Sequence, residues 1–213
     1  MPQTMMPAQA LQRLLDGNKR YAADDAPEAM HAHAVNRRHS IADQRPFATV
    51  LGCSDSRVPI EIVFNQGLGE LFVIRVAGNI LNDHVIGSVE YAIETFGCAL
   101  VMVLGHSNCG AVTAAVDAVV HQRRAPARIA TIVDAIRPNV EIVRNEADLL
   151  EAAIAQNVRS VTATLQQTQP LITAARKAGR LAVVGAEYHL STGNVSTLYG
   201  DLIDVKQDRE FSA

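Results

Sequence analysis

The chain has 213 residues, room for one domain with a sizeable buried core and little room for two. It is 48% hydrophobic and 19% charged with no low-complexity tract, which specifies a globular protein, and a formal charge of -3 gives no general attraction to nucleic acid or an anionic membrane. No segment approaches the roughly 18 apolar residues of a membrane span. No basic cluster precedes an apolar core at the amino terminus, and three cysteines are too few for a disulfide framework, so a reducing, cytoplasmic location is expected.

In chain order, Leu11, Leu14, Leu15 and Tyr21 recur at helical spacing over residues 8 to 22, with Asp16, Lys19 and Arg20 on much of the other face. This predicts an amphipathic helix ahead of the sheet, packed on its own subunit or on a neighbour. Residues 23 to 40 show little periodicity and read as an extended arm, in which His31, His33 and His39 are expected to be solvated. The continuous apolar run from Phe47 to Leu51, ending at Gly52, suits a strand buried on both faces of a parallel sheet. A turn follows, then Pro59 opens a short helix through Phe64.

After Gly67-Leu68-Gly69, residues Leu71 to Val76 form the next strand and lead into Ala77-Gly78-Asn79. That glycine pair opens no helix after a strand and lacks the third glycine of a dinucleotide loop. Val85, Val89, Ala92, Ile93 and Phe96 mark a helix capped by Asp83 and stopped by Gly97. A third strand from Ala99 to Leu104 delivers Gly105 and His106, and Ser107 or Asn108 caps a helix whose apolar face holds Val112, Ala115, Val116 and Val119. Residues 128 to 178 read as mostly helical, broken at Pro138 and Pro170, with no further ligand cluster. A last core strand spans Leu181 to Ala186, and residues 187 to 190 pair with 195 to 199 across turn residues Ser191 to Asn194. The fold class is α/β: a mostly parallel central β-sheet flanked by helices, with an amino-terminal helical arm and a carboxyl-terminal edge hairpin.

Two loops carry the chemistry, Gly52-Cys53-Ser54-Asp55-Ser56-Arg57 and Gly105-His106-Ser107-Asn108-Cys109-Gly110. Both follow strands, and in an open α/β sheet the carboxyl ends of strands are where ligands bind. Cys53, His106 and Cys109 therefore offer two thiolates and an imidazole to one zinc ion per chain. Three protein ligands with an open position mark a catalytic zinc site, whereas four cysteines or histidines close a structural one. Cys98, a strand's length from His106, reads as a small buried hydrophobe. The fourth position falls to water or to Asp55. Zinc lowers the pKa of a bound water toward about 7, and two thiolates donate more charge than two imidazoles, which leaves a hydrogen-bonding neighbour more to do. An Asp beside an Arg is ordinarily a plain ion pair. Placed here, Asp55 and Arg57 read as catalytic: Arg57 keeps Asp55 ionised to orient the nucleophile, and a released Asp55 is a fourth ligand in a closed state.

Cys-Ser-Asp-Ser-Arg at 53 to 57, Phe72-Val73-Ile74-Arg75 with Ala77-Gly78-Asn79, Gly105-His106-x-x-Cys109-Gly110, the late Thr192-Gly193 and the early Leu15-x-Gly17-Asn18-x-Arg20-Tyr21 together resemble the β-class carbonic anhydrases over essentially the whole chain. The resemblance implies reversible hydration of carbon dioxide to bicarbonate and a proton in a single domain over residues 1–213. It assigns Cys53, His106 and Cys109 to zinc, Asp55 and Arg57 to the catalytic dyad, and Gln44, Phe72 and Tyr91 to the substrate pocket. It implies a homodimer or dimer of dimers, with residues 1–40 packing on a partner subunit, and no nucleic-acid or membrane partner. Taken alone, Phe72 and Tyr91 would be core residues and Gln44 a loop residue.

One departure stands out. Some family members hold a regulatory bicarbonate between a tryptophan three residues before the first zinc cysteine, the arginine of the second strand and a late tyrosine. Here Arg75 is present, but Val50 takes the tryptophan's place, so that form of gating is expected to be weakened or absent. Two other classes compete: a zinc hydrolase of carbonyl sulfide or carbon disulfide, and a non-enzymatic redox protein with a structural zinc. The second needs neither Asp55 nor Arg57.

Overall fold

The computed structural model describes residues 5–25 and 44–202. Within them, β1 (Ala48–Gly52), β2 (Leu71–Arg75), β3 (Leu100–His106), β4 (Ala182–Tyr188) and β5 (Val195–Gly200) form one sheet in the order β2-β1-β3-β4-β5. The first four are parallel and β5 is antiparallel to β4. β1, β3 and β4 are buried at every residue, as the unbroken apolar runs require when helices cover both faces.

Alternation along the strands sorts the core into two layers. Val50, Leu100, Met102, Leu104 and Val184 face α1 (Pro7–Ala22) and the short α2 (Ile60–Val63). Leu51, Val101, Val103 and Val183 face α3 (Asp83–Phe96), α6 (Leu149–Gln167) and α7 (Leu171–Lys177). A third apolar cluster joins α4 (Gly110–Val120) and α5 (Ile129–Ile142) beyond the carboxyl ends of β1 and β3, and it contains Cys53 and Cys109. No helix among the described residues is long and apolar enough to cross a membrane.

Four local expectations need correction. Asn82, not Asp83, caps α3: its side chain accepts from the Val85 N–H at 3.0 Å, and Asp83 becomes the first helical residue. α5 runs unbroken through Pro138, because Ala130, Val133, Ile136 and Val140 bury one continuous stripe that holds the helix across the missing donor. β4 continues to Tyr188 as one strand, so the hairpin is β4 with β5 rather than a separate edge pair. Neither Ser107 nor Asn108 caps α4; Cys109 itself is the N-cap residue, and Asn108 is left-handed with φ 55°.

α1 is seated on its own chain by a few specific contacts. Ala10, Leu11 and Leu14 are buried in the core, and Gly17 lies so close to Phe64 that a Cβ would collide with the Phe64 carbonyl oxygen. Next to it, the buried Asn18 donates to the carbonyls of Val63 at 3.1 Å and Gly193 at 2.8 Å and accepts from the Val195 N–H at 2.8 Å. The pair Gly17-Asn18 thus fastens the helix to α2 and to the β4–β5 turn at once. The arm with His31, His33 and His39 lies outside the described residues.

Because a methyl at position 17 would run into the Phe64 backbone as well as the Gln66 amide, Gly17→Ala should cost about 1–3 kcal/mol, despite the helix propensity it adds. Chemical denaturation monitored by far-UV circular dichroism checks this; an equal or higher midpoint would refute the close approach of α1 to Phe64.

Candidate metal centre

The strand order puts the site where it is. From β1 the chain moves outward to β2 and then crosses back to pair β3 on the other side of β1, so the loops after β1 and β3 leave the sheet in opposite directions from a shared crevice. Gly52 at the end of β1 pairs with Leu104, which sets Cys53 beside the last turn of chain before His106. Cys53, His106 and Cys109 meet there, all buried, with one ligand atom from each within 4.8 Å of the others.

The donor set fits a metal. The two sulfurs are 4.0 Å apart, close to the roughly 3.8 Å between two thiolates on one tetrahedral zinc with bonds of about 2.3 Å. His106 Nδ1 lies 3.0 Å from the Ser107 carbonyl oxygen, which fixes the proton on that nitrogen and leaves Nε2 free to ligate. Nε2 is buried, and no described residue satisfies it. A hydrogen bond from the Cys109 thiol holds the Cys53 thiol down to about 4 against its burial, with His106 and the amides of Gly78 and Asp55 contributing in the same direction. The pair thus favours a thiolate at Cys53, while Cys109 is raised by the same contact and by burial.

Asp55 is gripped by Arg57 rather than turned to the ligand group. Arg57 donates from Nε to Asp55 Oδ1 at 2.9 Å, from Nη2 to Oδ2 at 2.8 Å, and from its backbone N–H to Oδ1 at 3.0 Å. These bonds hold the Asp55 carboxyl well below the usual carboxylate range, against its burial. Oδ2 nevertheless stands 3.9 Å from His106 Nε2, at the margin of the cluster. Arg57 also donates from Nη2 to the Asn108 carbonyl at 3.2 Å, so one guanidinium ties the first ligand loop to the second.

Further residues shape the site that the sequence did not single out in these roles. Arg75 donates to the carbonyls of Cys53 at 3.0 Å and Asp55 at 2.6 Å, pinning the first loop from the edge strand. The 3₁₀ turn Ala77–Asn79 places Gly78 at φ 69°, where its N–H donates to Cys53 Sγ at 3.3 Å and a Cβ would meet Ile136 at 2.7 Å. Behind it, Asn157 of α6 donates to the Gly78 carbonyl at 2.9 Å and accepts from Asn139 of α5 at 3.0 Å. The Ala77-Gly78-Asn79 motif was the only sequence signal for this support.

The remaining expected site residues stand elsewhere on the single chain. Phe72 pairs with Thr49, three positions back from Arg75 along the edge strand, or about 10 Å. It packs on Tyr91 and Phe96 with ring centroids 6.2 and 5.9 Å away, and Tyr91 is 54% exposed. Gln44 is exposed ahead of β1. Cys98 is the expected buried residue, its thiol 3.3 Å from the Pro46 carbonyl oxygen. Residues 128 to 178 form no ligand cluster among themselves, but Glu151 of α6 joins Glu187 and His189 at the end of β4, one ligand atom from each within 4.8 Å of the others, a grouping the sequence did not announce.

Removing one thiolate should empty the centre. Cys109→Ala is expected to hold one metal ion per chain fewer than the wild type while retaining its far-UV spectrum, as read by elemental analysis of the purified protein; an unchanged metal count would remove Cys109 from the ligand set.

Comparison with known proteins agrees with the site. Residues 48–195 match the family model described as carbonic anhydrase. A carbonic anhydrase of Mycolicibacterium smegmatis is 38% identical over 192 residues, 89% of this chain and 92% of that protein. Carbonic anhydrase 2 of Mycobacterium tuberculosis is 35% identical over 91% of this chain and 93% of its own length. The solved structure of the β-carbonic anhydrase CcaA superimposes with a TM-score of 0.67 at 28% identity, covering 88% of this chain and 94% of that one. By sequence and by fold, the chain belongs to the carbonic anhydrase family, in its β class.

Proposed function

We propose that this chain catalyses the reversible hydration of carbon dioxide to bicarbonate and a proton, with one zinc ion held by Cys53, His106 and Cys109. The observation that carries the reading is the buried two-sulfur, one-nitrogen cluster with a free His106 Nε2 beside an aspartate locked on an arginine. Zinc in such a site acidifies a bound water and so supplies a nucleophile near neutral pH.

The protein's own groups do the rest. Asp55, kept ionised by Arg57, accepts a hydrogen bond from the attacking water and fixes its orientation; it does not serve as the base, since its carboxyl is held too acidic to keep a proton near pH 7. Arg57 and Arg75 hold the backbone of this loop from two sides, which keeps Asp55 and Cys53 in register with the second loop. The Gly78 N–H on Cys53 Sγ withdraws charge from that thiolate, favouring an acidic water at a site rich in sulfur. The product proton leaves to buffer.

Gln44, Phe72 and Tyr91 are proposed to line the substrate slot, an apolar recess with one amide being suited to a small uncharged molecule. Their distance from the single-chain cluster supports a homodimer or dimer of dimers, in which a second copy covers the exposed Tyr91 with the half-buried Phe72 and Phe96 beside it and brings these side chains to the centre. Three free, buried cysteines support a reducing cytoplasmic compartment. Val50, fully buried in β1, stands where gated relatives carry tryptophan, so Asp55 is expected to stay on Arg57 rather than close on the metal.

Stopped-flow hydration of carbon dioxide, on protein of measured zinc content and from about pH 6.5 to 9, tests the reading; one zinc per chain with no hydration at any pH would overturn it. Asp55→Asn should retain zinc and lose about 10–100-fold in turnover, the usual cost of removing an outer partner of a metal site. An unchanged rate would remove Asp55 from the mechanism. Crystals grown below and above neutral pH should both show Asp55 on Arg57, and an Asp55-to-metal bond at low pH would show that the gate survives without the tryptophan.

A further inference from the structure

Away from the Cys-His-Cys centre, the best-formed cluster of ligating side chains lies where β4 leaves the sheet. Glu187 and His189 are two positions apart and so project on the same side of the strand. That side faces α6. Gly105 and Gly185 have no side chains to hold the helix away, and a Cβ on Gly185 would meet Val158 at 2.8 Å and Thr162 Oγ1 at 2.6 Å. With the helix this close, the residues at its i, i+3 and i+7 positions, Glu151, Ile154 and Val158, stack along the strand ends. Val158 and Ile154 lie over Gly105, and Glu151 comes to Glu187 and His189, with one ligand atom from each within 4.8 Å of the others.

The cluster is electrostatically incomplete. Glu187 is 2% exposed, and its Oε1 is buried without a hydrogen-bond partner among the described residues. The charged group that acts on it most strongly is a second carboxylate, Glu151, and no arginine or lysine of the described residues forms an ion pair with either. A buried carboxylate facing another carries an unfavourable energy unless a proton or a cation sits between them. Burial and then Glu151 push the Glu187 carboxyl up from its ordinary value, and His106 only partly opposes them. A proton alone accounts for the two acids. It leaves unexplained why a half-buried imidazole converges on the same point with no side-chain hydrogen bond to another described residue.

We propose that Glu151, Glu187 and His189 form a second divalent-cation site, distinct from the Cys-His-Cys centre and on the opposite face of the sheet from His106. The donor set, two carboxylates and one imidazole with no sulfur, suits a borderline first-row ion such as Zn²⁺, with water completing the coordination on the exposed Glu151 side. The site sits on rigid elements, the end of a central strand and the first turn of a long helix, so a bound ion would clamp α6 to β4 at the edge that also carries His106.

The test uses the full-length protein equilibrated with micromolar Zn²⁺, freed of excess by gel filtration and counted by elemental analysis. The expected result is two zinc ions per chain for the wild type and one each for Glu187→Gln and His189→Ala. Cys109→Ala should keep one, showing that the second site fills without the first. Because the count does not depend on turnover, failure of the hydration reading would leave it unaffected. A wild type with one zinc that Cys109→Ala abolishes would overturn the proposal, as would two zinc ions persisting in both Glu187→Gln and His189→Ala; either would mark Glu151 and Glu187 as a proton-sharing pair.

Discussion

The parallel pairing of β1 with β3 is the constraint on which the site depends. Cys53 and Cys109 are 56 positions apart in the chain, and only the crossing from β2 back over β1 to β3 brings their loops to one crevice. The pairing is secured by burial on both faces: every residue of β1 and β3 is inside, so a slip of one residue would exchange the apolar sets that face α1 with those that face α6. Register is therefore fixed by the core, and the core delivers Cys53 level with Gly105, one residue before His106. Arg57 then works on a smaller scale, joining Asp55 to the Asn108 carbonyl across the crevice.

Close backbone approach is the second requirement, and it explains residues that carry no chemistry. Gly17 lets α1 reach Phe64, Gly78 lets the 3₁₀ turn press its N–H against Cys53 Sγ, and Gly105 and Gly185 let α6 lie on the sheet. Each close approach excludes water and leaves polar groups that must find partners inside the protein. The Asn139–Asn157–Gly78 chain meets that need beside the metal centre, and Asn18 meets it under α1. Satisfied networks of this kind hold one geometry, since any alternative strands a buried amide.

Much of this was legible in the sequence because burial leaves a mark on composition. The runs Phe47–Leu51 and Ala99–Leu104 read as strands buried on both faces, which places the loops carrying Cys, His and Asp at their ends at the carboxyl edge of one sheet. What escaped has a common cause in tertiary context. Pro138 breaks helices on intrinsic grounds, and only the buried stripe around it keeps α5 whole. Arg75 reads in the sequence only as one wall of a bicarbonate pocket, and its grip on the first loop is not legible there because its two acceptors are backbone carbonyls, which have no letter in the sequence. Glu151 and Glu187 are separated by a helix and a strand, and nothing short of the packing of α6 over Gly105 and Gly185 announces that they meet.

Two carboxylates at this one sheet edge show how strongly the surroundings decide the chemistry of a residue type. Asp55 sits on a loop where an arginine two positions on can turn back and offer both nitrogens, so it stays ionised well below the usual range despite partial burial. Glu187 sits inside a strand under a helix, where no arginine or lysine of the described residues pairs with it, so burial and the like charge of Glu151 raise its carboxyl. The first is fit to orient a nucleophile at neutral pH and unfit to carry a proton. The second can hold a proton or a cation, but cannot stand alone as an anion. The difference arises from the element that carries each acid, and β3, which lies between β1 and β4, brings His106 within electrostatic reach of both.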